Sequence, residues 1–484
     1  MRYRRYKEQI YFCKGTDLKS APFTLFFIAA VFASLTVSVF IQIKPVFSLN
    51  LIGAYKHALK YDHGYKAAFY AKKASGIYGA EGLSLFLPQI SASVGVSRYD
   101  FLSPPPLYFS FTSRTEGISL TQPIIDFKRY FEYAQYGAKQ AMGSDEFSAA
   151  RQDFITRVAE IYLDVLAAEN YLKYLKVQKK AVHEQYKQAK ELFKAGSGTK
   201  TDVYEALARY YSVESDIVEA KNSLKNASAK FKGVVGLSAK GIDAFKKGAD
   251  FLIPVREKLG YWIGLAEKNN PDLKYYENNS IYRGEAVKKD WSMNLPTLAF
   301  TAGYSTTNTQ EVVQTPALRY YTVGFQLSVP IFDGGYSVEK SIKSENISEE
   351  TNQELERERG KIIRKLTASY LRLKGYTARI NMLKLAVKSA GIVLKADRLG
   401  FASGTNTMSD VLSAMQKLYD MKTKLLKAQY EYLMVFLALK SGAGVLSASD
   451  LYRINKLLEN KNKNYKFKLQ AGNLNYDNYN YKKN

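Results

Sequence analysis

Apolar and small polar residues alternate along two short stretches of the chain. Between residues 90 and 97, isoleucine, alanine and valine occupy the even positions, and serine and glycine occupy the odd positions. Between residues 321 and 329, tyrosine, valine, phenylalanine and leucine occupy the odd positions, opposite Gly324, Gln326 and Ser328. This period of two predicts β-strands with one apolar and one small polar face, as lipid outside and water inside require. A strand of a soluble sandwich also alternates and is the alternative interpretation.

Aromatic residues cluster around the loop that follows the first predicted strand. They are Tyr99, Phe101, Tyr108, Phe109 and Phe111. Because aromatic rings favour the boundary between lipid and water, we expect these five side chains to form an interfacial girdle.

A long helical pattern follows the first pair of strands. No proline occurs from residue 127 to residue 193, and apolar residues recur there at steps of three and four. Such a helix is about 100 Å long at 1.5 Å per residue. The glycines of Leu192–Thr199 predict a helix end and a turn. Thr201 or Asp202 is predicted to cap the next helix, which extends to Gly233.

The second half of the chain has the same helical pattern. It predicts a helix from about Tyr336 to Leu399, a turn at residues 400–406 and a helix to about Ser441. Helices of this length do not fold into one globule, and we expect them to pair as coiled coils.

Three segments of the first half recur in the second half at a nearly constant spacing. The offset is 207 or 208 residues, and the matched pairs are Leu87–Gly95 with Leu295–Gly303, Leu120–Asp126 with Leu327–Asp333, and Phe193–Val203 with Phe401–Val411. Three matches in one register indicate an internal duplication. Each half therefore has a short helix, two strands and two long helices, and four strands in all require partner chains to close a barrel.

Charge and hydropathy set the two ends of the chain apart. Residues 1–20 are basic, an uncharged apolar segment follows from Ala21 to Ile41, and Val46–Ser48 offers small side chains for cleavage. This order predicts a secretory signal peptide, and an uncleaved membrane anchor is the alternative. The tail at residues 456–484 is rich in asparagine, lysine and tyrosine and lacks an apolar period, which predicts disorder.

We predict that the mature chain begins at or near Leu49, because the basic, apolar and small-residue segments end there. N-terminal sequencing of the protein extracted from membranes tests this expectation, and a retained Met1 would contradict it.

The composition offers little material for chemistry. The chain has one cysteine, Cys13, and three histidines, so we expect no metal site, no cofactor and no enzymatic activity. The net charge is +25, but the basic residues are scattered along the helical patterns, which argues against nucleic-acid binding. Asp202 and Asp410 occupy equivalent positions after the two turns. Helix capping or gating therefore explains these residues better than a role as a pair of catalytic carboxylates. Residues 196–198 are glycine-rich but follow a helix and lack the lysine of a phosphate-binding loop.

At its strands and turns the sequence resembles the TolC-like outer-membrane efflux protein family. The resemblance rests on Leu87–Gln89, Leu120–Asp126, Leu295–Pro296, Val329–Gly335 and the turns Ala195–Val203 and Phe401–Val411. It covers about residues 49–455 and is specific, because order, spacing and duplication agree. It implies a membrane α+β fold in which a homotrimer forms one twelve-stranded outer-membrane β-barrel, with four strands per chain. A long α-helical coiled-coil barrel continues it.

The resemblance also implies how the chain is divided. We expect a signal peptide at residues 1–48, a first structural repeat at 49–250, a second at 251–455 and a disordered tail at 456–484. The segments around 236–260 and 442–456 resemble the family's belt around the middle of the helical tunnel.

The resemblance further assigns roles to residues at the two turns. Those expected to contact a periplasmic adaptor are Gly196, Ser197, Gly198, Thr199, Ser403, Gly404 and Thr405. Those expected to form the periplasmic gate are Asp410, Ser413, Asn406, Phe401, Thr201 and Asp202. Three-fold symmetry implies a ring of three Asp410 carboxylates, but Ser413 replaces a second acidic residue, Asn406 a basic one and Phe401 a tyrosine. A single acidic ring predicts a weak cation preference, and helix capping by Asp410 is a compatible alternative.

The implied function is an outer-membrane exit duct. It carries small molecules or polypeptides from an inner-membrane transporter, through a periplasmic adaptor protein, across the periplasm and the outer membrane. Two alternatives are a structural coiled-coil envelope protein without a transport role, and an adaptor anchored in the inner membrane.

Overall fold

A computed structural model of the chain describes residues 49–100, 110–246, 249, 251–255, 257–310 and 316–459. The predicted signal peptide and all but the first four residues of the predicted tail lie outside the described residues.

Four antiparallel strands form one sheet in the order β1-β2-β3-β4. The strands are β1 Gln89–Asp100, β2 Ser110–Ile125, β3 Thr297–Gln310 and β4 Leu318–Ser328. In one row across the sheet Ile90 pairs with Leu120, Leu120 with Ala302, and Ala302 with Val323. The two halves of the duplication thus meet at the β2–β3 pair, and β1 and β4 form the two edges of the sheet.

The alternating residues of the strands lie on two different faces of the sheet, as predicted. The row of Ile90 and Leu120 belongs to an apolar face that also includes Phe325, which is 72% exposed within one chain. The opposite face bears small polar side chains, and the hydroxyl oxygens of Ser91 and Ser119 lie 2.8 Å apart across β1 and β2. A sheet whose apolar face bears many exposed side chains matches lipid contact rather than a soluble core.

The predicted girdle is wrong for the two members that the structure describes. Tyr99 and Phe111 pair across β1 and β2, but they are on the face of Ser91 and Ser119. The physical reason is the period of two: Tyr99 is an odd number of residues from Ile90 and so points to the opposite face. The apolar face has its own tyrosine pair, Tyr304 and Tyr321, opposite each other on β3 and β4. Phe101, Tyr108 and Phe109 lie outside the described residues.

The helices are α1 Leu51–Tyr61, α2 His63–Ser75, α3 Tyr78–Ser84, α4 Phe127–Lys194, α5 Lys200–Val235, α6 Leu259–Asn269, α7 Pro271–Trp291, α8 Tyr336–Ala402, α9 Met408–Gly442 and α10 Ala448–Asn455. The long helices α4 and α8 have 68 and 67 residues, as the proline-free pattern predicts. They pack as hairpins, α4 against α5 and α8 against α9. Among the described residues, no helix is long and apolar enough to cross a membrane.

Three details of the helices differ from the sequence-based expectation. The first half has three short helices before its strands and the second half has two, where we expected one each. Helix α8 continues past Leu399 to Ala402, so Gly400 is helical. The cap of α5 is Thr199 rather than Thr201 or Asp202, because the Thr199 side chain accepts the hydrogen bond of the Asp202 amide.

The main core joins the middle of the long helices to the segments on either side of them. Buried residues of α1, α4, α9 and α10 pack there, and the Tyr162 hydroxyl lies 3.1 Å from the carbonyl oxygens of Leu49 and Asp243. Leu49 pairs with Ile242, and Phe245 pairs with Leu458. Residues 456–459, the first four of the tail expected to be disordered, therefore make defined contacts with the rest of the chain.

Candidate functional site

The first hairpin turn follows the end of α4. The backbone amide of Ala195 donates to the Glu191 carbonyl at 3.0 Å, and that of Ser197 donates to the Leu192 carbonyl at 3.0 Å. Gly196 has a φ angle of 74°. These bonds satisfy the last carbonyls of the helix, and a left-handed residue is what such a helix end requires.

The second turn repeats this geometry after α8. The Ser403 amide donates to the Leu399 carbonyl at 3.0 Å, and the Thr405 amide donates to the Gly400 carbonyl at 2.8 Å. Gly404 has a φ angle of 80°, and a Cβ atom added there meets no other atom within 4 Å. The requirement for glycine is therefore a backbone conformation and not lack of space.

Both hairpins then start their second helix with the same capping box. In α5 the Asp202 carboxylate accepts from the Thr199 amide at 3.1 Å and from the Thr199 hydroxyl at 2.6 Å. In α9 the Asp410 carboxylate accepts from the Thr407 amide at 2.8 Å and from the Thr407 hydroxyl at 2.7 Å. The hydrogen bonds from Thr407 hold the pKa of Asp410 below its usual value. Thr201 is exposed on α5, and it does not cap that helix.

The second turn has two polar links, from Asn406 and from Ser403, that the first turn does not repeat among the described contacts. Asn406 donates from its side-chain nitrogen to the Asp397 carboxylate at 2.9 Å. The Ser403 hydroxyl donates to the Gly400 carbonyl at 3.0 Å. The Thr405 hydroxyl also donates to that carbonyl at 3.0 Å, and this bond has a counterpart in the first turn, where the Ser197 hydroxyl donates to the Leu192 carbonyl at 3.3 Å. Asn406 therefore holds the turn onto the last turns of α8. Asp397 is a site residue that sequence reasoning missed, since nothing in the local pattern marks a partner nine positions away.

A small apolar cluster joins the two hairpins next to the turns. Met408 and Leu412 of α9 are buried with Ala189 of α4 and Ala206 of α5, and Phe401 packs against them. Phe401 thus serves as a packing residue of this cluster. Ser413 is exposed on α9 and lies outside the cluster.

A groove of about 500 Å³ lies beside this cluster, between α4 and α8. It was not predicted from the sequence, because the lining residues of its two walls are more than 200 positions apart in the chain. Its lining residues are Val177, Lys180, Ala181, Glu184, Gln185, Gln188, Arg398 and Phe401. Nowhere in the described part of the chain, this groove included, are three or more histidine, cysteine or acidic side chains grouped so that they could hold a metal ion.

The chain is similar to a known secretion protein and to known outer membrane proteins. The alkaline protease secretion protein AprF of Pseudomonas aeruginosa is 29% identical over 427 residues, which cover 84% of this chain and 87% of AprF. The outer membrane protein TolC of Vibrio cholerae is 26% identical, over 85% of this chain and 94% of TolC. The crystal structure of the Campylobacter jejuni CmeC outer membrane channel has a TM-score of 0.71 at 16% identity, covering 85% and 90% of the two chains.

The predicted fold class and the resemblance stated above are confirmed by these comparisons together with the sheet and the hairpins. The family described as "Outer membrane efflux protein" matches residues 66–237 and 262–445, one segment in each half of the duplication. The matched segments make up most of the chain and include both hairpin turns. The chain belongs to the outer membrane efflux protein family, a family of transport channels of the bacterial outer membrane.

Proposed function

We propose that three copies of this chain form one continuous exit duct through the outer membrane and the periplasm. The observation that carries the proposal is the four-stranded sheet with an exposed apolar face and two edges, β1 and β4. Backbone groups at a sheet edge cannot remain unpaired in lipid, so a spanning sheet must close into a barrel. Pairing of β4 with β1 of the next copy closes such a barrel by cyclic symmetry, with twelve strands for three chains.

The two turns are proposed to meet a periplasmic adaptor that connects the duct to an inner-membrane transporter. Both turns connect the far ends of hairpins that start at the sheet, since α4 and α8 each begin shortly after a strand. The adaptor-contact residues remain those expected from the sequence, from Gly196 to Thr199 and from Ser403 to Thr405. Their exposed polar groups and fixed backbone geometry support this role.

Polypeptides are the proposed cargo. The similarity to AprF, a protein named for alkaline protease secretion, extends over 84% of this chain and supports this choice. Small molecules are the second candidate, because the family that the chain matches is described as outer membrane efflux proteins. The proposed role is passive, and we propose that the chain itself catalyses no reaction.

The proposed organisation of the chain is a signal peptide at 1–48, repeats at 49–250 and 251–455, and a tail from 456. The family match supports it, because its two segments each fall inside one repeat.

Deletion of the chain in its native host tests the function and the cargo together. If the proposal is correct, one or more polypeptides disappear from the culture medium and return when the wild-type chain is supplied. An unchanged set of released polypeptides, combined with increased sensitivity to small toxic compounds, would assign the duct to small molecules. No change in either measurement would leave only the structural envelope role and contradict the proposal.

A further inference from the structure

One face of the sheet has an unusual lining. It is the face opposite the apolar one, and serine, threonine and glycine dominate it on β1, β2 and β3, whereas β4 also contributes Leu318, Tyr320 and Gln326. Among the described residues of the strands, the charged side chains all lie on the apolar face, toward the β1–β2 loop: Arg98, Asp100, Arg114, Glu116 and Arg319. Because lipid requires the apolar face outside, the uncharged hydroxyl-rich face lines the lumen of the barrel.

The lumen face changes character at the β1–β2 end. Tyr99 and Phe111 lie directly opposite each other there, and their rings are stacked with centroids 5.0 Å apart at an angle of 29°. The next pair on this face, Ser97 with Ser113, has only small side chains. Tyr99 remains 47% exposed despite the stacking, so part of its ring is open to the lumen.

The end of the barrel at which this pair lies follows from the topology. The helices α4 and α8 begin after β2 and β4, so the opposite ends of the strands face away from the helical part. With the helices in the periplasm, the Tyr99–Phe111 pair lies toward the extracellular mouth. A polypeptide leaving the duct passes a neutral, hydroxyl-lined barrel and then three symmetry-related aromatic pairs.

We propose that these three Tyr99–Phe111 pairs form an aromatic collar that binds aromatic side chains of the departing polypeptide. The proposal rests on the proposed trimeric duct. Aromatic rings stack with other aromatic rings and attract cationic side chains, whereas the small neutral residues of β1, β2 and β3 below the collar offer neither interaction. Tyr320 of β4, paired with Ser305, is a further ring on this face and lies deeper in the lumen. The collar thus provides a transient binding site at the exit, in a barrel that discriminates little by charge.

The test uses the trimer in planar lipid bilayers, with a glycine–serine peptide that contains one tryptophan added on the extracellular side. A second peptide with leucine in place of tryptophan controls for hydrophobicity. Current blockades by the tryptophan peptide are expected to last about tenfold longer, which corresponds to about 1.4 kcal/mol. Equal blockade times for the two peptides in a conducting channel would overturn the proposal.

Substitutions separate binding by the collar from a purely structural role of the aromatic pair. The double variant Tyr99→Val, Phe111→Val keeps residues that favour strands but removes both rings, and we expect the tryptophan peptide to behave like the leucine peptide. Tyr304→Val, on the lipid-facing side, is the matched control and should leave the difference intact. If the double variant fails to assemble, the single variant Tyr99→Val, which removes the more exposed ring of the pair, is expected to give the same loss of the tryptophan effect and decides in its place.

The outcomes also distinguish this inference from the function on which it rests. A protein that inserts but conducts no current contradicts the duct, and the collar with it. A conducting wild-type channel with a persistent tryptophan effect in the double variant contradicts the collar alone. Prolonged blockade by a soluble maltodextrin but not by the tryptophan peptide would assign the rings to sugars and likewise contradict it.

Discussion

Replacing Gly404 by valine is expected to abolish transport while leaving the assembled oligomer and its membrane insertion intact. Gly404 has a φ angle of 80°, which a β-branched residue adopts only at a cost of about 1–2 kcal/mol. The site has open space, so the strain acts on the backbone of the turn and not on its neighbours. The turn is expected to rearrange and to displace Ser403 and Thr405 from the proposed adaptor contact. Cargo release from cells and the amount of trimer in outer membranes are the two measurements.

Two further variants make this result specific. Gly404→Asn should retain most transport, because asparagine tolerates the left-handed conformation. Gly391→Val adds the same side chain within α8, where the φ angle is helical and the added Cβ meets no atom within 4 Å, and it should transport normally. Normal efflux from a well-expressed Gly404→Val protein would contradict the role of the turn.

Replacing Asp410 by alanine is expected to move the reversal potential of the channel toward zero or past it. In planar bilayers under a KCl gradient, the wild-type channel should show a weak cation preference that rests mainly on three symmetry-related Asp410 carboxylates. The Thr407 hydrogen bonds lower the pKa of Asp410, so the carboxylate stays ionised as the pH falls to the usual range of an aspartate. In the proposed ring the two other carboxylates act in the opposite direction and raise this pKa, so the reversal potentials are to be compared near pH 7, well above the usual range of an aspartate.

The capping role of Asp410 requires a separate control. Asp410→Asn keeps an oxygen that can accept from the Thr407 amide but removes the charge, so it should shift the reversal potential as alanine does. Asp202→Ala removes the equivalent capping box in the first hairpin and should shift the potential less. An unchanged reversal potential in Asp410→Ala would exclude Asp410 from the pore and leave it as a helix cap.

The sequence was most informative where a period repeats over many residues. The long helices and the alternating strands were predicted closely, because a proline-free apolar period and a period of two each reflect many side chains at once. The helix from Tyr336 begins where the pattern predicted it. The duplication added independent support, since each half tests the pattern of the other.

Features that depend on single residues or on distant contacts were less predictable. Thr199 caps α5 although Thr201 and Asp202 are equally good capping residues, and only the hydrogen bonds in the folded turn decide among them. Aromatic type suggested a girdle for Tyr99, whereas its odd spacing from Ile90 places it on the lumen face. The hydrogen bond from Asn406 to Asp397 could not be predicted, because no local sequence pattern indicates a partner nine positions away. The gate and adaptor-contact residues remain predictions.

The central claim is that the chain assembles into a three-fold duct that combines a membrane barrel with a long helical tunnel. Imaging of the detergent-purified protein by electron microscopy tests this claim most directly. Three-fold particles in the form of a tapering cylinder about 140 Å long are expected, from helices of about 100 Å and a membrane-spanning barrel. Single chains, or particles without three-fold symmetry and of much smaller length, would contradict it.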